Sequence, residues 1–293
     1  NPAVTPAVAQ YPAFAPAIAW RGSIGASSYD GVVFSMRRAF THRLLVTANY
    51  SYTHELDNGS NGSGDGDEIS AQNPLCQSCE YADGVWDASQ VVNGNAVYEL
   101  PFGHGRQMLN QPGIASAIAG GWQLTTSALA RTGFPINVLL PSSVISPYGN
   151  SGTLRPNLVP GVPLTPPGGR TIAHWINPAA FALPATGTFG DAPRDLFAGP
   201  GTWQVDSGAA KTFPLGERAR MEFRSEFFNV FNHPQLGPPN ATCTLTPAAP
   251  VGCASGFGGI TTTLNLNTAI VNPITPVGSG TPREIQFALR LEF

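Results

Sequence analysis

Charge is the scarcest property of this sequence. Asp, Glu, Lys and Arg make up 11% of the 293 residues, against roughly 25% in an ordinary soluble domain. The net charge of -3 and a pI near 5.9 offer no basic face, which sets nucleic-acid binding aside. Long apolar runs are missing as well: no stretch reaches the roughly 18 residues that a membrane-spanning helix needs. The uncharged stretch before Arg21 is interrupted by Pro2, Pro6, Pro12 and Pro16, which a continuous helix does not tolerate. It also lacks the basic start of a signal peptide. The chain opens on Asn1 rather than a methionine and reads as a piece of something longer, or as a processed product.

What is abundant is glycine and proline, 33 and 28 residues, about a fifth of the chain where average usage gives roughly 12%. Helix interiors accept neither residue well. A helical bundle is excluded and a doubly wound α/β fold is disfavoured. The hydrophobic fraction of 42% is enough for a core. These observations leave an all-β chain with long irregular loops.

Apolar and polar residues alternate with period two in separate blocks, the pattern of strands with two unlike faces. At the C-terminus Ile285, Phe287, Leu289, Leu291 and Phe293 fall on one face; Glu284, Gln286, Ala288, Arg290 and Glu292 fall on the other. Upstream, Ala219, Met221, Phe223, Ser225 and Phe227 alternate with Arg218, Arg220, Glu222, Arg224 and Glu226. The same rule marks blocks around Val32–Arg37, Leu44–Thr53, Val92–Phe102, Trp122–Arg131 and Trp203–Thr212. The spacing predicts seven strands, roughly 31–40, 43–55, 88–102, 120–134, 202–213, 217–232 and 283–293. Arg38 is an exception on an apolar face, two residues from a turn, where it can snorkel to an interface.

The connections alternate in length. Thr41-His42 and Pro214-Leu215-Gly216 are tight turns and 103–119 is a medium link, whereas 56–87, 135–201 and 233–282 are long and rich in Gly, Pro, Asn and Ser. Every short connection falls on one end of the strands and every long one on the other. Loops this long count against strands in a compact domain but are expected in an outer-membrane β-barrel. Strand length agrees, since tilted membrane crossings take about 9–11 residues. Aromatics at strand ends, including Phe40, Tyr52, Phe102, Phe134, Phe213 and Phe231, suit an interfacial girdle. The expected fold is therefore an antiparallel up-and-down transmembrane β-barrel. It is incomplete, with about seven strands in an open, curved sheet. Residues 1–28 would end an extracellular loop and 29–293 would form the C-terminal portion of the barrel domain. A soluble secreted β-sandwich is the competing architecture.

Several motifs carry a family resemblance. Leu289-Arg290-Leu291-Glu292-Phe293 resembles the terminal signal read by the outer-membrane barrel assembly machinery, with Phe287, Leu289, Leu291 and Phe293 as its apolar positions. Glu226-Phe227-Phe228-Asn229-Val230-Phe231-Asn232-His233 is similar to the penultimate-strand motif of TonB-dependent receptors. Tyr98-Glu99-Leu100-Pro101-Phe102-Gly103, Gly120-Gly121-Trp122-Gln123-Leu124, Arg131-Thr132-Gly133-Phe134-Pro135 and Asn177-Pro178-Ala179-Ala180-Phe181 resemble the Oar-like branch of that family. The resemblance implies a cell outer-membrane location with long loops extracellular and the C-terminus periplasmic. It implies uptake of a large extracellular ligand, driven by the TonB complex through movement of a plug. The implied partners are outer-membrane lipid, the assembly machinery, and the missing N-terminal barrel and plug. Nothing in the chain corresponds to the plug or the TonB box. A non-transporting surface barrel that anchors adhesive loops is the alternative.

Candidate chemistry is sparse. Cys76-Gln77-Ser78-Cys79 could be a zinc or redox pair, but Cys243 and Cys253 have the wrong spacing to complete a zinc site. Two local disulfides, Cys76–Cys79 and Cys243–Cys253, are favoured over cross-pairing or free thiols. The acidic, Gly-rich run containing Asp57, Asp65, Asp67 and Glu68 could attract calcium. It lacks the EF-hand spacing and reads better as a solvated flexible loop. His42, His54, His104, His174 and His233 are scattered, and neither a Gly-x-Ser-x-Gly nucleophile motif nor a P-loop is present. No catalytic or cofactor-binding residue is assigned, and an enzyme is not expected. Arg218, Arg220, Glu222, Arg224, Glu226 and Arg290 would line the barrel lumen, where mixed signs suit a wall that grips a plug.

Overall fold

The computed structural model describes residues 24–41, 43–59, 71–73, 75–144, 147, 153–216, 218–264, 274–276 and 282–293. Seven long strands form one sheet: β1 (Ser27–Thr41), β2 (Leu44–Asp57), β3 (Gln90–Glu99), β4 (Trp122–Arg131), β5 (Thr202–Pro214), β6 (Arg220–Phe228) and β7 (Glu284–Glu292). Each pairs antiparallel with its neighbours in sequence, an up-and-down meander from β1 to β7. The two-residue strand Ala82–Asp83 adds to the loop end of β2. Among the described residues there is one α-helix, the short α1 (Ile114–Ala119), which lies in the link between β3 and β4.

The sheet is open. β1 and β7 are its edges and do not pair. Direction alone forbids a regular closure between them. Seven alternating strands leave β1 and β7 running the same way, so a seam joining them would be parallel in an otherwise antiparallel wall.

Apart from one shift near the β1–β2 turn, between Arg38 and Thr41, the register carries the alternation from strand to strand without a slip of face. Phe34 stands opposite Tyr50, Tyr50 opposite Val92, Val92 opposite Ala130, and Ala130 opposite Trp203. A second row runs through Arg37, Thr47, Asn95, Ser127 and Asp206. A one-residue shift at any pairing would have mixed these rows. One face of the wall is mainly apolar, with Arg38 and Lys211 as charged exceptions, and the other mainly polar.

Strand ends differ from the alternation by a few residues. Pairing of β5 with β6 stops at Pro214 opposite Arg220, so Arg218 sits exposed in the hairpin turn rather than on the wall. After Phe228 the backbone turns away: Asn229 and Asn232 take φ of 48° and 51°, and asparagine tolerates that left-handed region better than most residues.

The larger departure concerns the long connections. Their described residues do not trail as structureless loops. Residues 132–144, 153–201 and 229–264 fold together into a cap with its own core of Val138, Leu140, Leu154, Ile176, Phe181, Leu245 and Phe257. Phe181 and Phe257 meet edge to face at 5.4 Å. Backbone bonds cross between the two connections, from Cys243 N to Leu139 O, Leu183 N to Pro250 O, Trp175 N to Gly258 O and Ile260 N to Ile172 O. Most of this backbone is irregular; it satisfies its polar groups by such loop-to-loop bonds. Residues 1–23, the bulk of the segment expected to end an extracellular loop, lie outside the described residues.

Candidate functional site

The wall presents two surfaces. On the apolar one Val32, Phe34, Met36, Tyr52, Ile285, Phe287, Leu289 and Leu291 are all exposed, Phe287 and Leu289 at 67% each. Aromatic contacts knit them along the face: Phe34 on Tyr50 at 6.3 Å, Trp122 on Phe223 at 6.2 Å, Phe223 on Phe287 at 6.1 Å. A sandwich would bury such a face against a second sheet, and among the described residues no second sheet covers it; the short link 103–121 reaches it at Lys211 and Trp122. Lipid is the solvent in which it is stable.

The polar surface is a hydrogen-bonded, mixed-charge wall. Arg224 stands between Glu222 at 3.0 Å and Glu226 at 3.7 Å. Glu292 receives Arg290 at 3.2 Å and Arg220 at 3.6 Å, and Glu222 is the register partner of Arg290. Farther along, Asn49 Nδ2 donates to Asn93 Oδ1 at 3.0 Å. Of the residues expected on the lumen wall, Arg220, Glu222, Arg224, Glu226 and Arg290 share this face; Arg218 does not.

The cap leans over the polar face. At the loop end of the wall the polar-face residues Asp57, Thr202 and Gln204 are buried, whereas Trp203, between two of them, is 38% exposed on the apolar side. Burial on alternate residues places most of the covering layer on the polar side, while Phe231 and His233 of the cap pack on the Trp203 ring at 5.7 and 4.4 Å on the other. Gln235 of the cap holds the backbone of Trp203 through both its side-chain oxygen and its nitrogen.

Two buried ionic clasps tie the cap together and to the wall. In the first, Arg155 grips Glu80 with two nitrogens, at 2.6 and 3.1 Å, and its Nε donates to Ala192 O at 2.8 Å. Gln72 completes the clasp, accepting from Arg155 N at 2.7 Å and donating to Gly190 O at 2.9 Å. Gly190 must be glycine because a Cβ there would lie 2.0 Å from the Arg155 carbonyl oxygen. Glu80 ends the 3-10 turn Gln77–Glu80, and the Cys76–Cys79 disulfide brackets that turn. In the second, Arg194 bonds the Asp57 carboxylate at 3.0 Å at the end of β2 and lies 3.3 Å from Asp195. Burial pushes the Asp195 carboxyl up to about 6; Arg194 opposes this, and the nearby Asp57 and Asp83 add to it. Unpaired, such buried charges would be costly, so each clasp holds its segments in register.

Asp57 therefore does not stand in a solvated acidic loop. It is buried and engaged by Arg194, which leaves it unsuited to start a calcium site. Asp65, Asp67 and Glu68 lie outside the described residues. Cys243 pairs with Cys253 inside the cap core. Among the described residues no three His, Cys, Asp or Glu side chains converge as a metal site requires. Glu80, Arg155, Arg194 and Asp195 were not singled out by sequence reasoning. The available signal was their rarity, since 135–201 holds only five charged residues.

An up-and-down sheet with one apolar and one polar face, and with all its long connections on one end, is the wall of an outer-membrane barrel. The chain belongs to the outer membrane beta barrel domain family, whose model matches residues 1–286; it is a protein of the outer membrane. No curated protein and no solved structure matches it.

Proposed function

We propose that this chain is the C-terminal barrel portion of a TonB-dependent outer-membrane receptor of the Oar-like branch, and that it works as a transporter wall rather than an enzyme. In this reading the apolar face meets lipid, the polar face grips a plug supplied by the N-terminal part of the same protein, and the cap captures a large ligand outside the cell. The observation that carries it is the cap leaning over the polar face. A folded body at the mouth of a polar lumen suits a receptor that binds first and admits later. The mixed-sign ladder of Glu222, Arg224, Glu226 and Arg290 suits a plug interface better than an ion filter, which would use one sign. Long loops would be extracellular and Phe293 periplasmic, where the terminal motif resembling an assembly signal is read.

A second reading draws on the same cap. Its buried clasps and the Cys243–Cys253 disulfide make a rigid platform, which favours a non-transporting barrel that displays adhesive loops. The two readings part at TonB. Full-length protein in detergent should retain the purified periplasmic domain of TonB on a column, and deletion of TonB in the host should leave surface binding intact while abolishing uptake. Absence of both effects would favour the adhesive barrel.

A further inference from the structure

The link between β3 and β4 does not hang free below the turn end of the wall. It folds back onto the apolar face, and the residue that holds it there is Lys211, the single lysine of the sequence. Lys211 is the register partner of both Trp122 and Phe223, so it occupies an apolar-face position, yet it is only 5% exposed. Its Nζ donates to the carbonyls of Ala117 and Ile118, the latter at 2.8 Å. The rings of Phe213 and Trp122 lie 4.8 and 5.8 Å from it. Trp122 Nε1 donates to the same Ile118 carbonyl at 2.9 Å. These are last-turn carbonyls of α1, which lack partners within the helix and favour a cation. A six-residue helix has no stability of its own in water. Here it persists because a lysine and an indole of the wall clamp its end.

The clamped helix leaves its apolar side chains uncovered. Ile114 and Ile118, four residues apart and hence on one side, are 80% and 67% exposed; Met108 and Leu109, just before the helix, are 55% and 46% exposed. This patch continues the apolar face of the wall through Trp122, which packs on Phe223. It lies at the strand ends where the hydrocarbon gives way to headgroups, the level that Trp and snorkelling Lys favour. We infer that 108–119 is a membrane-interface anchor: Met108, Leu109, Ile114 and Ile118 enter the acyl-chain edge of the leaflet at the turn end, and Lys211 locks the helix in that pose. The inference rests on the assignment of the apolar face to lipid.

The test is nitroxide accessibility in the full-length protein, reconstituted in phosphatidylethanolamine–phosphatidylglycerol vesicles. The four cysteines of residues 1–293 are paired, so once any unpaired cysteine elsewhere in the full-length protein is replaced by serine, an introduced cysteine is the one thiol labelled. Labels are placed at I118C, at F287C on the apolar wall and at R218C in the exposed turn. The anchor predicts that position 118 relaxes faster with oxygen than with a water-soluble nickel chelate, as 287 does, while 218 shows the reverse. If 118 follows 218, or is shielded from both reagents as it would be under a protein partner, the anchor is overturned. If 287 itself favours the chelate, the face assignment fails instead. In K211M the label at 118 should gain mobility and chelate access while a label at 287 keeps its values. An unchanged spectrum at 118 would overturn the clamp.

Discussion

Wall and cap solve opposite problems with the same short alphabet. Among the described residues, every buried apolar side chain lies in a connection and none in the seven wall strands. The wall turns its hydrophobic residues outward because its core is the bilayer, and its regularity comes from pairing each strand with the next. The cap sits in water and must bury its own apolar surface. It does so with little regular structure, around Phe181 and Phe257, with one disulfide inside and two ionic clasps at its seams. Low overall charge means different things in the two places. In the wall it makes a lipid surface; in the cap it concentrates the few charges into buried pairs that set loop against loop.

The largest effects should separate the two regions. Phe181→Ala removes the centre of the cap core and should cost the cap about 3–5 kcal/mol. Breaking the first clasp with Glu80→Ala strands a buried Arg155 at a comparable cost of about 3–5 kcal/mol. Limited proteolysis of reconstituted protein should then cut within 132–201 and 229–264, while β1–β7 stay membrane-inserted. Loss of insertion in either variant would mean that cap and wall are one cooperative unit.

Next come substitutions on the wall. Phe223→Arg or Leu289→Arg should cost about 2–4 kcal/mol near the bilayer midplane, read as reduced barrel insertion into liposomes. Glu222→Arg and Gln286→Arg, on the polar face, should be tolerated better. Equal sensitivity on both faces would erase the distinction between them.

Reduction of the cap disulfide ranks third. Replacing Cys243 and Cys253 by serine releases a link of sequence separation 10, worth about 2–3 kcal/mol. The melting of the cap should fall while heat-modifiable migration, a property of the wall, stays as it was. The smallest effect is that of pH. Asp195 has a folded pKa of about 6, above its ordinary 3.8, so the folded cap holds this proton more tightly than the unfolded chain does. Its contribution to stability is complete below about 3.8 and is lost as pH rises through about 6. The cap should resist denaturant slightly better at pH 5 than at pH 7, and Asp195→Asn should flatten that dependence.

The wall was legible in the sequence because a membrane strand repeats one instruction, apolar then polar, for ten residues or so. Glu284–Glu292 shows it in full, and Ser27–Thr41 shows it over Phe34–Arg37. Ends were less legible: the alternation continues through Arg218, and only the backbone pairing of Pro214 with Arg220 marks where β6 begins. The cap was illegible for the converse reason. It has no period, and its decisive contacts join residues 75 apart, as in Glu80 with Arg155, or 137 apart, as in Asp57 with Arg194. The two disulfides were the readable part, since both close over short spacings. Lys211 was an overlooked clue: the sole lysine, placed in an apolar slot of a membrane strand, demands a partner, and α1 provides it.

The central claim is that the alternate faces of the wall meet different media. Single cysteines along β7, from Glu284 to Glu292, in the reconstituted full-length protein would test it most directly, by their rate of modification with a water-soluble maleimide. The account predicts a period of two: fast at Gln286, Ala288 and Arg290, slow at Ile285, Phe287, Leu289 and Leu291. Uniform reactivity along the strand, or the opposite phase, would contradict it.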